Sequence, residues 1–203
     1  MFKEGEHMKK IPIGISGRHA HVTQEHLEIL FGKGFELTEF KPLSQPGQYA
    51  ANEKIDVVSP KGNTIKGVRI LGPVRPASQV EISRSDALRG GFEAPVRSSG
   101  DVKGSGACTL IGPKGQVELE EGVIIADRHI HFSLEDADAF GVKNGDIVSI
   151  LVEGQKPGIL GNVLCRVSKS YALDCHLDTD DGSAFMLNTG DEATLVKVYE
   201  IQQ

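Results

Sequence analysis

The sequence predicts a mainly β protein of the barrel or sandwich kind, interrupted by short helices. Three observations carry this. Strand-length runs rich in Val, Ile and Leu recur along the chain: "KIDVVSP", "TIKGVRILGP", "QVEIS", "CTLIGP", "GVIIA", "DIVSILVEG", "NVLCRVS" and "ATLVKVYEI". Turn formers such as "SPKGN", "GPKGQ" and "KNGD" separate them, as expected where a chain reverses between strands. Few long helical periods lie between the runs, which disfavours a parallel α/β sheet.

Length and composition bound the rest. The 203 residues suffice for one large domain or two small ones at about 150 residues per domain. No apolar run approaches the ~20 residues of a spanning helix, so no membrane association is expected. The opening "MFKEGEHMKK" lacks the apolar core of a secretory signal, and a cytoplasmic protein is expected. A net charge of −6 and the absence of Trp argue against nucleic acid as a partner. The three cysteines, Cys108, Cys165 and Cys175, include no C-x-x-C pair and read as buried small hydrophobes.

In chain order, the first distinctive element is "GRHAHVTQEH". An apolar strand leads to Arg-His-x-His, and Thr23 then caps a helix carrying Leu27, Leu30 and Phe31 at helical spacing, with Glu25 in its first turn. His26 is expected on that helix's exposed face and His7 in the N-terminal tail, neither with a role. Residues 33–53 read as an inserted loop or lid, and "LRGGFEAPVRSSGDVKGSG" as a long surface connection. "DRHIHFSLED" then repeats the first plan, with Ser133 as cap and Gly141 ending the helix in a left-handed conformation.

Alternate residues of a strand share a face, so His19 with His21, and His129 with His131, can each aim two imidazoles at one point. Neutral imidazole is the commonest protein ligand for zinc and similar metals. A single such pair reads as two histidines beside a helix cap; two copies point to metal. His176 in "LDCHLDTDD" and Glu81 in "SQVEISRSD", which occupies the corresponding place in the first half, are candidates for the remaining ligands. Arg75 sits between two prolines in "GPVRPAS", a constrained turn that suits phosphate or carboxylate recognition. No Gly-rich phosphate loop, EF-hand loop or nucleophile elbow is present. A metal-dependent cupin-type enzyme, with "HAHVTQE" supplying His19, His21 and Glu25, stays open, as does a non-catalytic metal-binding module.

The set "GRHAHVT", "GPVRPASQVEIS", "DRHIHFS" and "LDCHLDTDD", in that order and spacing, closely resembles the PduL-type phosphate propanoyltransferases, phosphotransacylases of bacterial propanediol metabolism. The resemblance runs from about Ile11 to Val198. It implies two β-barrel domains with short capping helices and an active site where they meet. One barrel would comprise residues 9–18 with 127–203, the other 19–126. It further implies two zinc ions, one on His19, His21 and Glu81 and one on His129, His131 and His176. Arg75 would bind phosphate, and Ser16, Lys41, Arg69 and Leu71 would contact coenzyme A. The implied reaction moves a propionyl or acetyl group reversibly between coenzyme A and phosphate, in a homodimer. Microcompartment members of the family often carry an N-terminal amphipathic extension, and the residues before Ile11 are too short and polar for one.

Overall fold

The fold is that of a computed structural model, which describes residues 9–196. His7 and most of the segment before Ile11 lie outside the described residues. The chain divides into two compact units, one of the described residues up to Ile15 together with those from Arg128 on, the other of Ser16–Asp127. We call them the terminal and the central barrel, after their places in the sequence.

The described residues open with β1 (Lys10–Ser16) and pass into the central barrel. There follow β2 (His19–His21), α1 (Gln24–Phe31), β3 (Glu39–Pro42), β4 (Tyr49–Val58), β5 (Thr64–Gly72), β6 (Gln79–Glu81), α2 (Arg84–Gly90), β7 (Val96–Arg97), β8 (Gly106–Ile111) and β9 (Gln116–Ala126). The terminal barrel resumes with β10 (His129–Phe132), α3 (Leu134–Phe140), β11 (Ile147–Val152), β12 (Gly158–Val167), β13 (Asp174–Asp178), α4 (Thr179–Phe185) and β14 (Glu192–Val196). Among the described residues the protein is mainly β, with two closed six-stranded barrels and four short helices. None of the described helices is long and apolar enough to cross a membrane.

The terminal barrel closes in the order β1-β13-β10-β12-β11-β14, with β14 returning to β1. In the central barrel the path β4-β5-β2-β6-β9 is closed by β8, which pairs with both β9 and β4. Closure leaves no unpaired edge in either ring. Residues 33–53, expected as a loop or lid, instead hold β3 and the first residues of β4, which pair antiparallel. The "SQPGQ" turn reverses the chain between them; it reads locally as a loop, but its flanks find each other as strands.

Each barrel has its own core. Ala20, Ile70, Val80 and Ile82 point into the central one, and Ile130, Phe132, Cys165, Cys175 and Leu177 into the terminal one. Each large side chain so buried contributes about 1.5–3 kcal/mol. Side chains alternate along a strand, so the neighbours of these core residues face away from the barrel interior. His19, His21, Gln79 and Glu81 are those neighbours in the central barrel; His129, His131, Asp174 and His176 are those in the terminal one. All but His176 are nonetheless buried.

Candidate metal centres

Four strands carry the candidate ligands, and each runs directly into a capped helix. The last ligand is followed by one buried apolar residue and then the cap: His21-Val22-Thr23, Glu81-Ile82-Ser83, His131-Phe132-Ser133 and His176-Leu177-Asp178. Each cap side chain accepts from the backbone N–H three residues on, of His26, Asp86, Asp136 and Asp181 in turn. The buried residue anchors the strand end, and the cap fixes where the helix departs. Together they hold the ligand's backbone from one side.

Strand pairing then sets the ligands face to face. β2 pairs antiparallel with β6, placing His19 opposite Glu81 and His21 opposite Gln79. β10 pairs antiparallel with β13, placing His129 opposite His176 and His131 opposite Asp174. The structure thus gathers His19, His21 and Glu81, and separately His129, His131 and His176, with the potential ligand atoms of each trio within 4.8 Å of one another.

In the central trio, Nδ1 of His19 donates to the Gly17 carbonyl at 2.9 Å and Nδ1 of His21 to the Leu71 carbonyl at 3.2 Å. These bonds fix the tautomers and turn both Nε2 atoms toward Glu81, at 3.4 and 3.9 Å from its oxygens. Burial pushes the His21 pKa down to about 3, aided by His19 and the Arg75 guanidinium. Burial alone would lower that of His19 too, but the Glu81 carboxylate outweighs it and raises the net value. For Glu81, burial acts upward and is overcome by His19 and His21, leaving the carboxylate well below its usual range. Two imidazole lone pairs and a carboxylate meeting at one point repel unless a cation sits among them. This donor set fits a divalent ion of the zinc type.

The terminal trio is a triangle of rings with centroids 4.8, 5.0 and 4.8 Å apart. Burial, the two neighbouring histidines and Arg166 drive the His131 pKa down to about 2, keeping that ring neutral. His176 Nε2 lies 3.1 Å from Asp174 Oδ2, close enough for charge attraction but at an angle that makes no hydrogen bond. That nitrogen and His131 Nδ1 are buried without a hydrogen-bond partner among the described residues. Buried polar atoms are almost always satisfied, so the orphaned His131 nitrogen beside the other two rings fits a missing ligand. Three neutral imidazoles are a common set for a zinc-type ion.

Arg75 is half-buried beside the central trio. Its guanidinium donates to Ser99 Oγ at 3.2 Å, and Ser99 in turn donates to Glu81 Oε1 at 2.7 Å. Gln79 Nε2 donates to the same carboxylate oxygen at 2.6 Å and to Ser99 Oγ at 2.9 Å. Arg69 lies on β5 in register with His19; its guanidinium donates to the Ala51 carbonyl and lies 4.6 Å over the Phe40 ring. Leu71 meets the trio through its carbonyl. Ser16 ends β1, half-buried, and Lys41 is exposed on β3; neither is hydrogen-bonded to the trio among the described residues.

Sequence reasoning missed several groups. Ser99 comes from the Gly- and Ser-rich stretch read as a surface connection, which the bond from Gly100 N–H to Gln79 Oε1 (2.9 Å) ties back to the site. Gln79 and Asp174 stand two residues before Glu81 and His176, a spacing that could have flagged them. Tyr171, whose ring lies 4.2 Å from that of His131, and Arg166, 5.9 Å from the Tyr171 ring, carried no local signal. His26, expected to be exposed, is half-buried and bonds Ser78 Oγ at 2.7 Å, because packing brings the turn before β6 across α1. The cupin-type alternative needs Glu25 beside the first pair. Glu25 instead lies exposed in the first turn of α1, and Glu81 takes that place.

The sequence profile of the phosphate propanoyltransferase family matches residues 12–188. The chain belongs to this family. The phosphate propanoyltransferase of Thermotoga maritima is 53% identical over 188 residues, covering 92% of this chain and 89% of the relative. That of Lachnoclostridium phytofermentans is 49% identical, covering 92% and 87%. That of Salmonella typhimurium is 47% identical over 177 residues, covering 87% and 83%. Membership makes the chain an acyltransferase, and both trios, with Arg75, fall inside the matched range.

Proposed function

We propose that this acyltransferase is a phosphotransacylase moving a short acyl group, propionyl or acetyl, reversibly between coenzyme A and phosphate, and that each of its two trios holds a divalent ion, zinc by the chemistry of its donors. The observation that carries the metal part is the recurrence, in two barrels, of one strand register that brings three potential ligand atoms within 4.8 Å of one another. Family membership supports the reaction.

A divalent ion so held would supply Lewis-acid stabilisation of a thiolate and of charge developing on an acyl carbonyl. The chain's own residues do the rest. His19 and His21 are locked in orientation by the Gly17 and Leu71 carbonyls, and Glu81 by Gln79 and Ser99. Such preorganisation costs nothing further at the moment of reaction. Arg75, steadied by Ser99, pairs with the phosphate oxygens. In the forward direction the coenzyme A sulfur attacks the acyl carbon, the C–S bond forms, the C–O bond to phosphate breaks, and phosphate leaves against the guanidinium. The thiol proton leaves with solvent or phosphate. No protein nucleophile is required, which agrees with the cysteines: burial pushes the thiols of Cys108 and Cys165 up to about 12 and that of Cys175 higher still, so none offers a thiolate near neutral pH.

Purified protein with propionyl phosphate and coenzyme A should form thioester, followed by ultraviolet absorbance, and a chelator should abolish it. Metal analysis should give two divalent ions per chain. Metal-replete protein that turns over no short acyl phosphate would reject the reaction; undiminished activity after complete metal removal would reject the metal centres.

A further inference from the structure

Each trio is three corners of a quadrilateral whose fourth corner is set by strand register. In the central barrel that corner is Gln79, opposite His21; in the terminal barrel it is Asp174, opposite His131. Both are buried, and each stands two residues before the third ligand on its own strand. Their chemistries complement their neighbours. Glu81 is a carboxylate and its supporter is an amide that donates to it at 2.6 Å; His176 is an imidazole and its supporter is a carboxylate 3.1 Å from its Nε2.

The barrel also leaves space for this carboxylate. β1 is the neighbour of β13, and its Gly14 has no side chain where a Cβ would lie 3.0 Å from Asp174 Oδ2 and 3.3 Å from Oδ1. A side chain there would push on the carboxylate. A buried carboxylate is costly unless a charge or donor answers it. An ion on three neutral histidines would bring two positive charges, and an ion on His19, His21 and Glu81 would bring one after the carboxylate is counted. With Asp174 included, the two platforms carry the same total.

We propose that Asp174 is the positioning residue of the terminal centre: it takes the Nε2–H of His176, which fixes the tautomer and leaves the ring's other nitrogen its lone pair for the ion, and it supplies the negative charge that Glu81 supplies in the central barrel. At 3.1 Å the two atoms are already within hydrogen-bonding distance. Carboxylates that orient ligating histidines typically change metal affinity about 10–100-fold. This inference rests on the metal centres proposed above.

The test is equilibrium metal binding with Zn²⁺, and separately Co²⁺ followed by its visible spectrum, on full-length protein. The variants are Asp174→Asn, which keeps shape and loses charge, Gly14→Ala, which crowds the carboxylate and keeps its charge, and His131→Ala, which removes a ligand of the same trio. Wild type should take up two ions. Asp174→Asn should bind one of them about 10–100-fold more weakly, the same ion that His131→Ala loses, with a shift in only that part of the Co²⁺ spectrum; Gly14→Ala should weaken the same ion less. Wild type with two ions and Asp174→Asn with two ions at unchanged affinity and spectrum overturns the role of Asp174 alone. Wild type with a single ion that His131→Ala leaves in place overturns the terminal centre and this inference with it. Apo-protein melting of Asp174→Asn separates misfolding from metal loss; a variant that melts like wild type without metal and still binds both ions normally counts against the proposal.

Discussion

In the central barrel the corner facing His19 is Glu81 and the corner facing His21 is Gln79; in the terminal barrel the same corners are His176 and Asp174. The parallel neighbours differ in the same crossed way, with Arg69 beside His19 on one side and Leu164 beside His129 and Arg166 beside His131 on the other. Backbone register, helix caps and buried anchors are kept, and the carboxylate is moved by two residues along the strand, from one corner to the next. A duplicated platform can therefore be given two electrostatic characters without altering its frame, because alternate strand residues face away from the core and can be exchanged without repacking it.

The largest effect should come from removing a ligand in either barrel. His21→Ala and His131→Ala should each reduce turnover to background and each lose one ion per chain, measured by thioester formation and metal analysis. Survival of turnover in one variant would show that only the other platform serves the reaction. Next comes the asymmetry in arginines. Arg75→Ala should raise the apparent KM for phosphate about 10–100-fold in the acyl-CoA direction, the equivalent of losing a charged hydrogen bond of about 1.5–3 kcal/mol. Ser99→Ala should raise it less, since Arg75 keeps its charge and loses only its anchor. Both should leave the terminal ion bound. Phosphate dependence unmoved in Arg75→Ala would remove that residue from its role.

Smaller effects should separate the two helix starts. Ser133 and Asp136 form a reciprocal capping box in which the Ser133 hydroxyl also donates to Asp136 Oδ2 at 2.6 Å, whereas the Thr23 hydroxyl accepts from His26 N–H at 3.1 Å and its own N–H donates to Ser78 Oγ at 3.0 Å. Losing a cap costs about 1 kcal/mol and up to about 2, so denaturant unfolding should show Ser133→Ala more damaging than Thr23→Ala. Equal losses would show that the box adds nothing beyond the cap. The smallest effect concerns the thiols, one in the central barrel and two in the terminal one. Their folded pKa values lie above the ordinary 9.0. The stability they contribute is thus fully present below about pH 9 and is lost as pH rises toward about 12, because the unfolded chain releases those protons first. At pH 8 a thiol reagent should titrate none in the folded protein and three after unfolding.

Much of the local architecture was legible. The His-x-His pairs, Thr23, Ser133 and the left-handed Gly141 (φ 63°) are features of a few adjacent residues, and the structure shows each cap as the sequence suggested. The pattern of ligand, apolar residue and cap also runs through Glu81-Ile82-Ser83 and His176-Leu177-Asp178, so a search for it would have reached α2 and α4. The acidic run "DTDDGS" is the start of α4 with Asp178 as its cap. Ser99 and Tyr171 were not legible, because neither the loop after β7 nor the turn after β12 announces what it will touch.

What the sequence determined by itself was every choice made within about four residues: which strands alternate, where helices start and stop, and which histidines share a face. Periodicity and capping act through bonds between near neighbours, so they survive reading in one dimension. What only the tertiary structure decided was the partner of each strand. Pairing β2 with β6 and β10 with β13 joins residues separated by dozens of positions, and that register sets Glu81 against His19 and Asp174 against His131, while the loop after β7 folds back to put Ser99 between Arg75 and the carboxylate.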